Sequence, residues 1–345
     1  MSAAYSLARN VALRSHNTFG VAATASWFAT LRDVSALHEL LALPQVRAGA
    51  LLVLGEGSNI LFAADVAGTV LRPAFDRVHV VEDAGDAALV RVEAAMRWDA
   101  LVDWTLQRGL CGLENLALIP GCAGAAPIQN IGAYGTEVAE FIRTVEAFDR
   151  HSGRMERLDA AQCRFGYRDS IFKHDSERWI VCAVELRLPR QRAPALDYAG
   201  VRDELAAMGI TAATATDVAQ AVRRLRRQKL PDPAALGNAG SFFKNPIVPI
   251  ALADRLREQH PDLPVHRVDL ITRKLPAAWL IEACGWRGTR DGDAGVSAQH
   301  ALVLVNHGHA TGAQILSLAR RIAASVQQRF GVTLEPEPRI VGATF

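Results

Sequence analysis

The sequence predicts an α+β protein of two or three compact units, and three observations carry that expectation. At 345 residues the chain is long enough to bury more than one core. Half of its residues are hydrophobic and 21% are charged, the balance of a globular chain. Runs with a strand period and runs with a helical period alternate along it, with Gly and Pro between them.

The elements follow in order. Ser26–Leu31 is expected as a strand, Val34–Leu41 as a short helix, and Leu51–Leu54 as a buried strand entering a glycine-rich turn. Between Val78 and Val92 two apolar runs flank Glu82-Asp-Ala-Gly-Asp-Ala, which fits a hairpin. Trp98–Arg108 has helical spacing, with Leu101, Trp104 and Thr105 on one face and Gly109 as its stop. Thr144–Leu158 and Arg178–Leu188 read as strands, with Val145, Ala147 and Asp149 alternating in one and Val181, Ala183 and Glu185 in the other. Gln191–Pro194 reads as a linker. Ala213–Gln228 is an amphipathic helix closed by Lys229-Leu-Pro-Asp-Pro, because proline cannot continue the hydrogen-bond ladder. A second α/β unit follows, with helices at Ala278–Ala283 and Gly312–Phe330 and a strand at Ala301–Val305.

Charge and cysteine usage narrow the function classes. A net charge of +2 gives no reason to expect a polyanionic partner. The basic cluster Val222-Arg-Arg-Leu-Arg-Arg-Gln-Lys reads as a solvated helix face rather than a nucleic-acid stripe. No apolar run reaches membrane-spanning length, and the first ten residues lack the core of a signal peptide. The five cysteines are odd in number and scattered, without a C-x-x-C pair, as expected of reduced thiols in the cytoplasm. No metal site is expected.

The most informative stretch is Leu113–Glu137. An apolar run ends at Pro120-Gly121, and a loop of small residues follows, bent at Gly124, Pro127, Gly132 and Gly135. Small side chains let backbone approach a large ligand, and Gln129 and Asn130 add amide groups. Leu51–Ile60, containing Gly55-Glu-Gly-Ser-Asn, repeats the pattern on a smaller scale. A G-x-G-x-x-G fingerprint fails there because position 60 is Ile, and no clear helix follows. A nest of backbone N–H groups around a pyrophosphate remains, as does a plain glycine turn; the longer loop favours the nest.

Both segments resemble the flavin-binding signatures of the UDP-N-acetylenolpyruvoylglucosamine reductase family. The resemblance continues in order through Cys163–Phe172, Asn238–Pro246 and Leu334–Gly342, so it spans nearly the whole chain. Tyr198 and the Glu-Pro-Glu-Pro-Arg segment place it with the longer branch of the family. The resemblance implies a two-part FAD-binding domain of the FAD-linked oxidase (PCMH-type) fold, residues 1–72 and 73–212. It also implies a smaller α/β substrate-binding domain, 213–330, and a C-terminal segment, 331–345, returning to the active site. FAD would be held by Gly55, Gly57, Ser58, Asn59 and Ile60, and by Pro120, Gly121, Gly124, Ala125, Pro127, Ile128, Gln129, Asn130, Gly132, Ala133, Tyr134 and Gly135. Some enzymes of this fold attach flavin through His or Cys, for which only His16 and Cys122 lie near; the resemblance implies non-covalent FAD.

The resemblance also assigns the chemistry, namely NADPH-dependent reduction of UDP-N-acetylglucosamine enolpyruvate. Arg168, Ser241 and Glu337 match the catalytic residues, and Tyr167, Tyr198, Lys229 and Asn245 are taken as substrate contacts. On residues alone the plainer readings are preferred: Arg168 as an ion-pair partner of Asp169, Ser241 as a turn or cap residue and Glu337 as a surface glutamate. An arginine fork suits a carboxylate. The flanking Pro336 and Pro338 fix the backbone that aims Glu337. Glu335 is its near neighbour, and His300 receives no role. A monomer without membrane or nucleic-acid partners is expected. Two rivals stand beside this reading: another FAD-linked oxidase of a sugar or hydroxy acid, and a non-catalytic UDP-sugar-binding protein.

Overall fold

The structure, a computed structural model, describes residues 4–198 and 200–345. The fold is α+β and divides into two compact units. The first holds residues up to Val11, Ala25–Glu56 and Ala67–Arg227; the second holds Ala12–Thr24, Gly57–Val66 and Gln228–Phe345.

In the first unit a five-stranded antiparallel sheet runs in the order Arg154–Asp159, Ile142–Asp149, Trp179–Pro189, Ala87–Glu93, Val78–Asp83. The expected hairpin is its Val78–Asp83 and Ala87–Glu93 pair. The run Thr144–Leu158 is itself a hairpin, turned at Gly153, where φ is +69°. The central strand Trp179–Pro189 is buried on both faces, so each face needs its own core. Ile180 and Cys182 enter one core with Leu37, Leu40 and Phe148. Val184, Leu186 and Leu188 enter the other, with Trp98, Leu101 and Val145. The alternation expected through Val181, Ala183 and Glu185 is therefore broken. Glu146 pairs Ala183 but Ala147 pairs Val181, and this bulge at Cys182 exchanges the faces beyond it. A four-stranded sheet in the order Tyr5–Ala12, Thr24–Leu31, Val66–Pro73, Leu51–Val53 completes the layer arrangement of this unit.

The helix Ala215–Lys229 packs Val218, Ala219, Ala221, Val222 and Leu225 into the core of the first unit. The contact boundary therefore falls after Arg227. The basic cluster on this helix is not simply solvated. Arg223 bonds Asp99 at 2.8 Å and Asp103 at 2.7 Å. Arg224 pairs with Glu204 at 2.6 Å, and Arg226 is half-buried.

The second unit is built on the sheet Gly237–Ser241, Val303–Asn306, Ala294–Val296, Arg290–Asp291. The helix Gly312–Phe330 lies as expected, started by a Thr311–Gln314 capping box and stopped by Gly331 at φ +67°. Arg339–Val341 pairs in parallel with Ile60–Phe62, so the C-terminal segment joins the strand that follows the first glycine loop. All five cysteines are free thiols. Among the described residues no helix is long and apolar enough to cross a membrane.

Candidate active site

The first glycine loop leaves the strand Leu51–Val53 and enters the strand Ile60–Phe62 without a helix. Gly57 has φ +67°, and a Cβ there would stand 2.1 Å from the carbonyl oxygen of His16, so only glycine fits. The N–H groups of Gly55 and Gly57 find no main-chain acceptor among the described residues, while that of Glu56 faces the Cys122 thiol. The two glycine amides suit an anionic group such as a flavin pyrophosphate.

The second loop lies in the first unit and meets the first loop there. Gly121 donates its N–H to Glu56 Oε2 at 3.0 Å, and Arg97 pairs with the other carboxylate oxygen at 3.2 Å. A Cβ on Gly55 would approach Cys122 Sγ to 2.6 Å, and one on Gly124 would approach the Ala94 Cβ to 2.6 Å. The small size of Gly55 and Gly124 is thus already required by packing within the protein. Pro120 and Ile128 are exposed, Ala125 and Gln129 half-buried, and Pro127 buried. Cys122 is buried against the first loop, and burial pushes its thiol pKa up. The loop closes in a short hairpin, Gly132–Ala133 with Thr136–Glu137, turned through Tyr134 at φ +49° and Gly135 at φ +81°. Tyr134 packs edge-on against Tyr198, centroids 5.3 Å apart.

Asn130 sits differently from the expectation that its amide faces a cofactor. It is 1% exposed, and its Nδ2 donates to Glu137 Oε2 at 2.8 Å and to the Gly166 carbonyl at 3.0 Å. Its Oδ1 accepts from Ala139 N–H at 3.0 Å. Its main-chain N–H goes to the Pro127 carbonyl at 3.4 Å.

Arg168 stands at φ +55° in the turn Gly166–Asp169. Its guanidinium donates to the Gly132 carbonyl and lies 5.3 Å from the centre of the Tyr167 ring. Asp169 accepts a bond from His174 Nε2 at 2.7 Å. Arg226, passed over in the sequence as one of a basic run, donates Nε–H to Leu118 O at 3.2 Å. Burial pushes its pKa below the usual arginine value, with Tyr134, Asp99 and Arg168 in its field. Its signal was the Arg223–Arg226 spacing of three, adjoining the apolar stripe of Val218, Val222 and Leu225.

The second unit brings Ser241 and Glu337 onto adjoining backbone. Ser241 ends the strand Gly237–Ser241 opposite Val303. Phe242, the next residue, accepts the Glu337 N–H at 2.8 Å. Asn59 donates Nδ2–H to the Glu337 carbonyl at 3.3 Å, and Arg339 N–H returns to Asn59 O at 3.0 Å. Glu335, by contrast, points to Lys244 at 3.2 Å. Buried Asn238, also not singled out in the sequence, shapes the approach to Ser241. Its Nδ2 donates to the carbonyls of Pro231 and Leu236, and its Oδ1 accepts the Gly240 N–H at 2.9 Å. Asn245 Oδ1 accepts the Ala277 N–H at 2.9 Å, at the start of a helix. Lys229 is exposed; its charge, with that of Arg287, adds to burial in pushing the His300 pKa down.

Residues 25–159 match the FAD binding domain family, which makes the chain a flavoprotein by fold. Residues 232–341 match a second family, the C-terminal domain of UDP-N-acetylenolpyruvoylglucosamine reductase. A UDP-N-acetylenolpyruvoylglucosamine reductase of Xanthomonas euvesicatoria pv. vesicatoria is 56% identical over 342 residues, covering 98% of this chain and 97% of that one. One from Xylella fastidiosa (strain M12) is 54% identical, covering 97% and 95%. The crystal structure of the Thermus caldophilus enzyme superposes with a TM-score of 0.65 at 25% identity, covering 97% of this chain and 98% of that one. The chain belongs to the UDP-N-acetylenolpyruvoylglucosamine reductase family. The residues present fit FAD: the Gly55 and Gly57 amides without a main-chain acceptor on the first loop, a second loop bonded to it, and no surplus acidic side chain between Gly121 and Tyr134.

Proposed function

We propose that this chain reduces UDP-N-acetylglucosamine enolpyruvate to UDP-N-acetylmuramate, a step of peptidoglycan precursor synthesis in the cytoplasm, with NADPH as hydride donor. Non-covalently bound FAD supplies the hydride relay. The two glycine loops hold it mainly through main-chain N–H groups. The Arg168 guanidinium binds the enolpyruvyl carboxylate, and its permanent charge stabilises the negative charge that spreads there as C3 gains hydride. Glu337 is assigned to stabilising the enol form, and Ser241 to handing a proton to C2. Tyr167, Tyr198, Lys229 and Asn245 hold the nucleotide part of the substrate, Lys229 as a point charge for the diphosphate.

Family membership supports the activity. The observation that carries the residue roles is the 2.8 Å bond from Glu337 N–H to Phe242 O, since it ties the Glu337 backbone beside Ser241. The test follows the flavin band of the purified protein. NADPH should bleach it anaerobically, and UDP-N-acetylglucosamine enolpyruvate should restore the colour. Restoration by oxygen alone would favour an oxidase, and a protein that never takes up FAD would leave only sugar-nucleotide binding.

A further inference from the structure

Asn130, Tyr134 and Arg168 all hold left-handed backbone, with φ of +46°, +49° and +55°. Such residues persist only where their surroundings over-determine them, and they gather at functional sites. Here the surroundings are explicit. Asn130 Nδ2 donates to the Gly166 carbonyl at 3.0 Å. The Ser170 hydroxyl, fully buried, donates to the Ile128 carbonyl at 2.6 Å. The Arg168 guanidinium donates to the Gly132 carbonyl, and a Cβ on Gly132 would stand 2.9 Å from Arg168 Nη1. Three bonds thus stitch residues 128–132 to residues 166–170, all within the first unit.

We infer that Asn130 is a positioning residue for Arg168, its amide fixing the turn Gly166–Asp169 so that the guanidinium is aimed by the second glycine loop itself. The inference rests on the proposed role of Arg168 toward the substrate carboxylate. Both amide hydrogens of Asn130 are spent on Gly166 and Glu137, so its side chain serves the turn and not the cofactor. Asparagine also tolerates the left-handed conformation the loop demands. Loss of the amide leaves the Gly166 carbonyl without this donor and frees Arg168 to relax from its strained φ.

The test is Asn130→Gly in the full-length, FAD-loaded protein, since glycine keeps the left-handed backbone while removing the tether. Amide hydrogen exchange in the peptide spanning 165–170 should quicken by roughly tenfold. Reoxidation by the enolpyruvyl substrate should slow about 10²-fold, the cost of a misplaced catalytic group, and at least tenfold more than flavin reduction by NADPH slows. Adding Arg168→Ala should then cost little beyond Arg168→Ala alone. Unchanged exchange at 165–170, equal slowing of both half-reactions, or losses that multiply would overturn the inference. Should Asn130→Gly fail to retain FAD, Asn130→Asp keeps the shape and removes the donors, and the same outcomes apply. A wild-type flavin that the substrate does not reoxidise would defeat the proposed function, while the exchange measurement still decides the tether.

Discussion

Gly121 donates its main-chain N–H to the Glu56 carboxylate at 3.0 Å, joining the two glycine loops directly. Both groups lie in the first unit, so the start of the first loop is held to the second loop by protein groups.

That packing makes two glycine substitutions behave differently. Gly55→Ala places a methyl 2.6 Å from Cys122 Sγ, a single side-chain atom. It should weaken FAD retention, and Cys122→Ala should restore it by making room. Gly57→Ala meets the His16 carbonyl at 2.1 Å and also carries φ +67°. Its backbone penalty alone is roughly 1–3 kcal/mol, and no side-chain truncation relieves the clash. Flavin content after gel filtration and thermal midpoints read both effects. A failure of Cys122→Ala to rescue Gly55→Ala would show that Gly55 is small for the ligand's sake.

The glycine loops were legible because Gly and Pro punctuate the chain locally. The ties between loops were not. The partners of Asn130 and Ser170 lie 36 and 42 residues away, and no local pattern marks them. The same limit explains Arg226, whose burial depends on where Leu118 falls. The bulge at Cys182 is invisible to a period-2 reading, because the strand is apolar on both faces and either register looks acceptable. Helix Gly312–Phe330 was readable to the residue because both caps are written beside it.

A pH prediction follows from Asp149, which is 3% exposed. The Arg178 guanidinium, hydrogen-bonded at 2.8 and 3.0 Å, holds its carboxyl far below the usual range, and the His151 N–H adds to this. A depressed folded-state pKa gives stability that is present above the unfolded value of about 3.9 and is lost as pH falls below it. Asp149→Asn should therefore be less stable than wild type at pH 7, with the gap narrowing chiefly as pH falls below about 4. Urea midpoints at a series of pH values measure this, and a gap independent of pH would mean that the pair is not the source.

Glu335 and Glu337 offer a paired test of the C-terminal segment. Glu335 makes an exposed ion pair with Lys244, worth about 0–1 kcal/mol. Glu335→Gln should leave turnover within about twofold, the scale of a surface substitution. Glu337 is fixed through its main chain to Phe242 and Asn59, which Glu337→Gln preserves. Its turnover should fall by about 10²–10³ with little change in thermal midpoint. Similar turnover losses in the two variants would reverse or void the assignment.

Ser241 separates the half-reactions. It is assigned to proton delivery at C2, a step that flavin reduction by NADPH does not contain. Ser241→Ala should leave NADPH-driven bleaching nearly intact and slow reoxidation by the enolpyruvyl substrate severely, because a transition-state interaction unique to that step is gone. The backbone around it gives reason to expect a folded variant. Gly240 is held by Asn238, Phe242 N–H bonds Leu302 O at 2.8 Å, and neither bond uses the serine hydroxyl. If Ser241 were only a turn residue, the cost would be a modest loss of stability, about 0.5–2 kcal/mol, shared by both half-reactions or absent from them. Stopped-flow absorbance at the flavin band reads each step alone. Equal slowing of both, or of neither, would remove Ser241 from the proton path and leave Arg168 and Glu337 to be tested without it.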